Sequence, residues 1–86
     1  MKQLQLKVIT SDTCGCCKSY IPKIEELGRE YGFGIEYIDI NNTDMDLTSY
    51  DFSGIPLTVV YEDGMYKSYF VGDMARERIM QQLGLD

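Results

Sequence analysis

The sequence predicts a small α/β fold, β-α-β-α-β-β-α, in which a four-stranded mixed sheet carries helices on both faces. Three observations lead there. Short strand-like runs alternate with segments of helical period. The β-α-β order at the front calls for a parallel strand pair joined by a right-handed crossover. Two later strand-like runs flank Glu62-Asp63-Gly64, a hairpin signal that adds an antiparallel strand. With 86 residues, 44% of them hydrophobic, the chain reads as one domain, 1–86, with enough apolar material for a packed core.

Each element has its own warrant. Leu4-Gln5-Leu6-Lys7-Val8 alternates apolar and polar and continues into Ile9 and Thr10, the first strand. Ser11, Asp12 and Thr13 are helix-start residues, and from Cys17 onward Ile21, Ile24, Leu27 and Tyr31 recur at helical spacing. Pro22 lies inside that pattern, where it removes a backbone hydrogen bond and predicts a kink. Gly32 and Gly34 end the helix. The run Ile35 to Ile40 predicts a second strand, buried on both faces and therefore central. Thr43-Asp44-Met45-Asp46 resembles a capping box opening a short helix toward Tyr50. Gly54-Ile55-Pro56 introduces a third strand, Leu57 to Tyr61, and Met65 to Val71 makes the fourth. Asp73 is placed to cap a final helix with a stripe of Ala75, Ile79 and Leu83, closed by Gly84.

Charge and cysteine usage narrow the function. Eight basic residues face 14 acidic ones, a net charge of −6, and no Lys/Arg cluster is present to neutralise phosphates. Nucleic acid is therefore excluded as a partner. Met1-Lys2-Gln3-Leu4 leads straight into the first strand without an apolar signal segment. No run approaches the ~18 apolar residues that cross a bilayer. The expectation is a cytoplasmic monomer with no membrane partner. Three cysteines within four positions do not make a secreted disulfide framework, and in a reducing compartment a Cys-x-x-Cys reads as metal-binding or catalytic.

Cys14-Gly15-Cys16-Cys17 is that motif, set between a strand and a helix. Residues three apart on a helix share a side, with Cβ atoms roughly 5–6 Å apart. A disulfide spans Cα atoms about 4.4–6.8 Å apart, so Cys14 and Cys17 can open and close a bond with little backbone motion. The competing reading is a structural thiol pair or half of a zinc site. A four-ligand zinc site needs two further donors, and the chain has no histidine and no cysteine beyond these three. Cys16 has two readings, an exposed bystander or a working third thiol that shuffles the disulfide, takes glutathione or helps hold a soft metal. Lys18 either steadies the Cys14 thiolate or is a solvated helix lysine, and Tyr20 either borders the site or packs in the core.

These residues resemble the thioredoxin family over nearly the whole chain. Cys14-Gly15-Cys16-Cys17-Lys18 is similar to the thioredoxin Cys-Gly-Pro-Cys-Lys motif with cysteine in place of proline. Pro22 matches the family's helix-kinking proline, and Ile38-Asp39-Ile40-Asn41 its central strand and exit. Gly54-Ile55-Pro56 matches the segment carrying its cis-proline, and Glu62-Asp63-Gly64 with Val71-Gly72 its hairpin turn and the glycine after the last strand. Departures are also visible. The first strand and helix of full-length thioredoxins are not represented, which brings the size nearer to glutaredoxins. Val8 stands where thioredoxins bury an aspartate, and Tyr37 where the facing lysine falls. Proton transfer is then left to solvent or substrate thiols.

The resemblance implies a thiol–disulfide oxidoreductase that reduces protein disulfides, with no cofactor beyond a redox-active Cys14–Cys17 disulfide. Cys14 would be the nucleophile, at a helix N-terminus where unpaired N–H groups and the helix dipole favour a thiolate. Cys17 would be the resolving thiol. Ile55 and a cis-Pro56 would bind the substrate chain by strand addition, although Pro56 also reads simply as the start of an edge strand. Gly15, Cys16 and Lys18 would modulate the site. The reductant would be a flavoprotein thioredoxin reductase or glutathione. The alternatives are a glutathione-linked glutaredoxin, or a non-catalytic metal or iron–sulfur carrier using Cys14, Cys16 and Cys17.

Overall fold

Alternation along Leu4–Thr10 produces β1, an inner strand of the sheet, in a computed structural model that describes residues 3–12, 14–41 and 54–85. The other elements are α1 (Gly15–Tyr31), β2 (Gly34–Asp39), β3 (Leu57–Glu62), β4 (Met65–Val71) and α2 (Arg76–Leu83). The four strands are ordered β2-β1-β3-β4. β1 pairs parallel to β2 across the α1 crossover and antiparallel to β3, and β3 pairs antiparallel to β4. The sheet is therefore mixed, as the sequence predicts. The helix expected over Thr43 to Tyr50 lies outside the described residues.

Period-two alternation divides the apolar residues between two faces. On one face Leu6, Val8, Val60 and Phe70 meet Tyr20, Ile24 and Leu27 of α1 and Ile79 and Leu83 of α2. Both described helices thus cover the same face. On the other face Ile9, Leu57 and Val59 form a second buried cluster, with Ile38, Ile40 and Ile55 packed against it.

Local chemistry sets the ends of the elements. Gly32 adopts the left-handed conformation (φ 78°) that a side chain would strain. The N–H groups of Gly32 and Phe33 both donate to the Gly28 carbonyl, at 2.8 and 3.1 Å, and close α1. α1 runs as one helix through Pro22, which is exposed. In the hairpin, Asp63 (φ 55°) and Gly64 (φ 84°) supply the two positive φ angles of a tight primed turn.

Two sequence expectations are corrected. β2 is an edge strand, not a central one. Its isoleucines do serve both clusters, Ile35 one and Ile38 the other, but Glu36, Tyr37 and Asp39 remain exposed. Apolar residues on both faces made it read as central, whereas the interspersed charges suit an edge. The second correction concerns α2. Its N-cap is Ala75, with no side-chain capping bond, so Ala75 is not part of the buried stripe. Asp73 instead accepts from Lys23 Nζ at 2.9 Å, and the same ammonium donates to the Met74 carbonyl at 3.0 Å. The start of α2 is fastened from α1.

This packing predicts that Ile24→Ala, in the fully buried row of α1, lowers unfolding free energy by about 2–5 kcal/mol. Met65→Ala at the exposed hairpin should stay within about 0.5 kcal/mol of the parent. Urea unfolding measures both, and equal effects would contradict the assigned core.

Candidate active site

At the end of β1 the chain turns so that the Cys14 N–H donates to the Ser11 carbonyl at 3.1 Å. Cys14 is extended (φ −86°, ψ 108°) and forms the N-cap of α1. Its Sγ accepts the N–H of Cys17 at 3.1 Å, doing with sulfur what serine or aspartate commonly does with oxygen. The sequence points to Ser11, Asp12 and Thr13 as helix-start residues; the cap is the cysteine itself, Asp12 lies before it, and Thr13 lies outside the described residues. A sulfur at this point sees the positive end of a 17-residue helix with no acidic residue in its first turn.

The three thiols are all free and differ in exposure: Cys14 is half-buried, Cys16 exposed and Cys17 buried. Burial is the main reason the Cys17 thiol is pushed up to about 11; its hydrogen bond with Cys14 adds to this, and a backbone bond involving Ser11 works against it. Gly15 and Lys18 are exposed alongside Cys16 on the solvent side of the helix. A side chain at Gly15 would meet nothing within 4 Å. Among the described residues, no group of three or more His, Cys, Asp or Glu side chains could hold a metal ion, so Cys14, Cys16 and Cys17 do not form a ligand set there.

The structure brings the Gly-Ile-Pro segment against this helix start. The Ile55–Pro56 peptide bond is cis, and the Ile55 carbonyl lies 3.7 Å from Cys14 Sγ, in position to accept its S–H. Pro56 is buried, and its carbonyl accepts the Gly72 N–H at 2.8 Å, which ties the loop to the exit of β4. One helix terminus and one loop, 41 residues apart in sequence, thus meet at a single sulfur.

Beneath the site a row of paired residues crosses the sheet: Tyr37, Val8, Thr58 and Phe70. Val8 is fully buried, and Tyr37 beside it is 40% exposed. The Tyr37 phenol is pushed up to about 12 by desolvation and then by Glu25. Tyr20 packs in the core, and its hydroxyl shares a 2.6 Å hydrogen bond with that of Thr58. In the sequence Thr58 is marked only as a polar residue among the apolar residues of the third strand.

An α/β sheet that seats a Cys-x-x-Cys pair at a helix N-terminus against a cis-proline loop defines the class. The thioredoxin family model matches residues 2–84. Thioredoxin from Staphylococcus aureus (strain Mu50 / ATCC 700699) is 28% identical over 82 residues, covering 93% of this chain and 79% of that protein. Among solved structures, a mutant thioredoxin from Halobacterium salinarum NRC-1 superposes with a TM-score of 0.79 at 22% identity, over 94% of this chain and 72% of that one. Fasciola hepatica thioredoxin does so with a TM-score of 0.78 at 20% identity, over 95% and 79%. The chain belongs to the thioredoxin family. Among the described residues, no helix is long and apolar enough to cross a membrane.

A titration of about 11 for Cys17 predicts slow alkylation. At pH 8 iodoacetamide should label Cys16 well before Cys17, and Cys17 labelling should climb roughly tenfold per pH unit because only the thiolate reacts. The folded state holds this proton more tightly than the unfolded chain, whose thiol titrates near 9.0. The contribution of Cys17 to stability is therefore complete below about pH 9 and lost as pH rises toward about 11. Peptide mapping checks the first expectation, and equal labelling of the two residues at pH 8 would contradict it.

Proposed function

We propose that this protein is a cytoplasmic thiol–disulfide oxidoreductase that reduces protein disulfides through Cys14 and Cys17. The observation that carries the reading is the position of Cys14 Sγ, half-exposed, bonded by the Cys17 N–H at the head of α1 and 3.7 Å from the Ile55 carbonyl. The Cys14 thiolate attacks one sulfur of a substrate disulfide. The substrate S–S bond breaks, a mixed disulfide forms, and the other substrate sulfur leaves as a thiolate that takes up a proton. Cys17 then gives up its proton and attacks Cys14 Sγ. The Cys14–Cys17 bond forms and the second substrate thiol departs, so two electrons have passed from the dithiol to the substrate.

The difference between the two thiols supports this order. Cys17 is buried and stays protonated at neutral pH, so it waits until the mixed disulfide places an electrophilic sulfur beside it. Its proton leaves to solvent or to the departing substrate thiolate. Ile55 and Pro56 bind the substrate backbone. Once Cys14 has lost its proton or become disulfide-bonded, the Ile55 carbonyl is released from the S–H and can accept from an extended substrate chain, a strand-addition mode. Gly15, Cys16 and Lys18 form the exposed rim, with Cys16 a bystander to the exchange. A flavoprotein thioredoxin reductase or glutathione resets the dithiol, and the protein works as a monomeric single domain.

A redox titration in defined thiol buffers, quenched by alkylation and read by peptide mass spectrometry, tests the assignment. One reversible Cys14–Cys17 disulfide is expected, while thiols that resist oxidation or pair mainly through Cys16 would count against it. Cys14→Ser should abolish disulfide reductase activity, and Cys17→Ser should accumulate mixed disulfides with substrate. Cys16→Ser should leave turnover unchanged. Activity persisting in Cys14→Ser would sink the proposal.

A further inference from the structure

We infer that Tyr20 and Thr58 are positioning residues of the dithiol site, whose mutual hydrogen bond sets the height of the Cys14–Cys17 helix start against the Ile55–Pro56 loop. The inference rests on the exchange chemistry proposed for that site. Both side chains are fully buried, and their oxygens are 2.6 Å apart. Among the described residues Thr58 is the one buried residue of polar type outside the tyrosines. Burial also pushes the Tyr20 phenol above its ordinary range, so it remains a neutral hydroxyl even in mildly alkaline solution.

The geometry ties α1 to β3 at two heights. At the top, Cys14 Sγ faces the Ile55 carbonyl; below, Tyr20 meets Thr58. Six residues separate Cys14 from Tyr20, which at 1.5 Å each is about 9 Å along a helix. Ile55 precedes β3 across the cis bond to Pro56, and Thr58 is the second residue of β3, so the two partners sit at different depths of one segment. The two contacts join the same helix to the same segment, so the lower one bears on how the helix start sits against the loop. The packing around the hydroxyl pair is apolar, with Val8, Ile24 and Val60 in the same buried cluster as Tyr20. Such contacts are non-directional and accept small displacements, whereas a buried O–H···O bond weakens steeply with misalignment. The hydroxyl pair is therefore the directional element of the interface beneath the site. Thr58 also neighbours Val8 in the sheet, so the pair holds polar groups next to a wholly apolar position.

Register matters because exchange needs the attacking sulfur within a narrow approach to its target, and a displacement of about 1 Å can cost on the order of 100-fold in rate. A purely structural pair would affect folding alone. Four variants separate the two roles: Tyr20→Phe, Thr58→Val, the double variant and Thr58→Ser. Each is assayed for insulin disulfide reduction per folded molecule, dithiol reduction potential and urea stability. Tyr20→Phe strands the Thr58 hydroxyl and should lose stability, whereas the double variant removes both partners and should regain most of it. Positioning predicts that the double variant nonetheless reduces insulin about tenfold more slowly, with a shifted potential, and that Thr58→Ser matches the parent in both. A double variant with parental rate and potential would overturn the inference, as would a Tyr20→Phe protein that is less stable but unchanged in rate and potential. Failure of the unmodified protein to form a reversible Cys14–Cys17 disulfide would instead remove the exchange reading itself, before any of these variants is compared.

Discussion

The hydrogen bond from the Cys17 N–H to Cys14 Sγ joins the fold to its chemistry. An α-helix begins with unpaired N–H groups that need acceptors, and here one acceptor is the half-buried sulfur of Cys14. The same bond makes the cap of α1, fixes the direction of the Cys14 side chain and brings the backbone of Cys17 beneath it. Helix formation and site formation are consequently one event. Because β1 ends at Thr10, a short turn before this cap, and runs inside the sheet, the sulfur is also placed near a strand end that packing holds firmly.

The remaining architecture works toward the opposite wall of the site. The Ile55–Pro56 loop approaches Cys14 because β3 lies next to β1, and Pro56 is tied in turn to Gly72 beyond β4. The hairpin Leu57–Val71 therefore fixes the loop from behind. Neither wall alone makes the arrangement: the helix start supplies the sulfur, and the loop supplies a carbonyl 3.7 Å from it.

Much of this was legible in the residues. The strand runs, the hairpin turn and the Gly32 and Gly84 helix ends follow from local patterns whose physical causes are local too, whereas the meeting of Cys14 with Gly-Ile-Pro, 41 residues apart, is implied only by the resemblance to thioredoxins. What the sequence hid depends on lateral placement. β2 reads as central because its isoleucines alternate onto two apolar faces, and nothing along a strand states what lies beside it. Asp73 reads as a cap by its spacing from the helix, yet a lysine fifty residues earlier takes its carboxylate. Cys14 as its own helix cap escapes notice because sulfur is not among the habitual capping atoms. The Tyr20–Thr58 bond needs two elements in register and has no signature in either one.

The fastening of α2 carries a consequence for the dynamics of the molecule. Eight residues are too few for a helix to persist alone in water, and this one lacks a side-chain cap of its own. Besides its apolar contacts, its attachment to α1 includes the ion pairs Lys23–Asp73, Arg76–Glu26 and Arg76–Glu30, whose charged groups remain partly in water. Ions in solution weaken such attractions, while the apolar seat of α1 is insensitive to them. Among the described elements, α2 is thus the one whose amide protons exchange first as ionic strength rises, and it can loosen while the end of the sheet that carries the thiols stays closed.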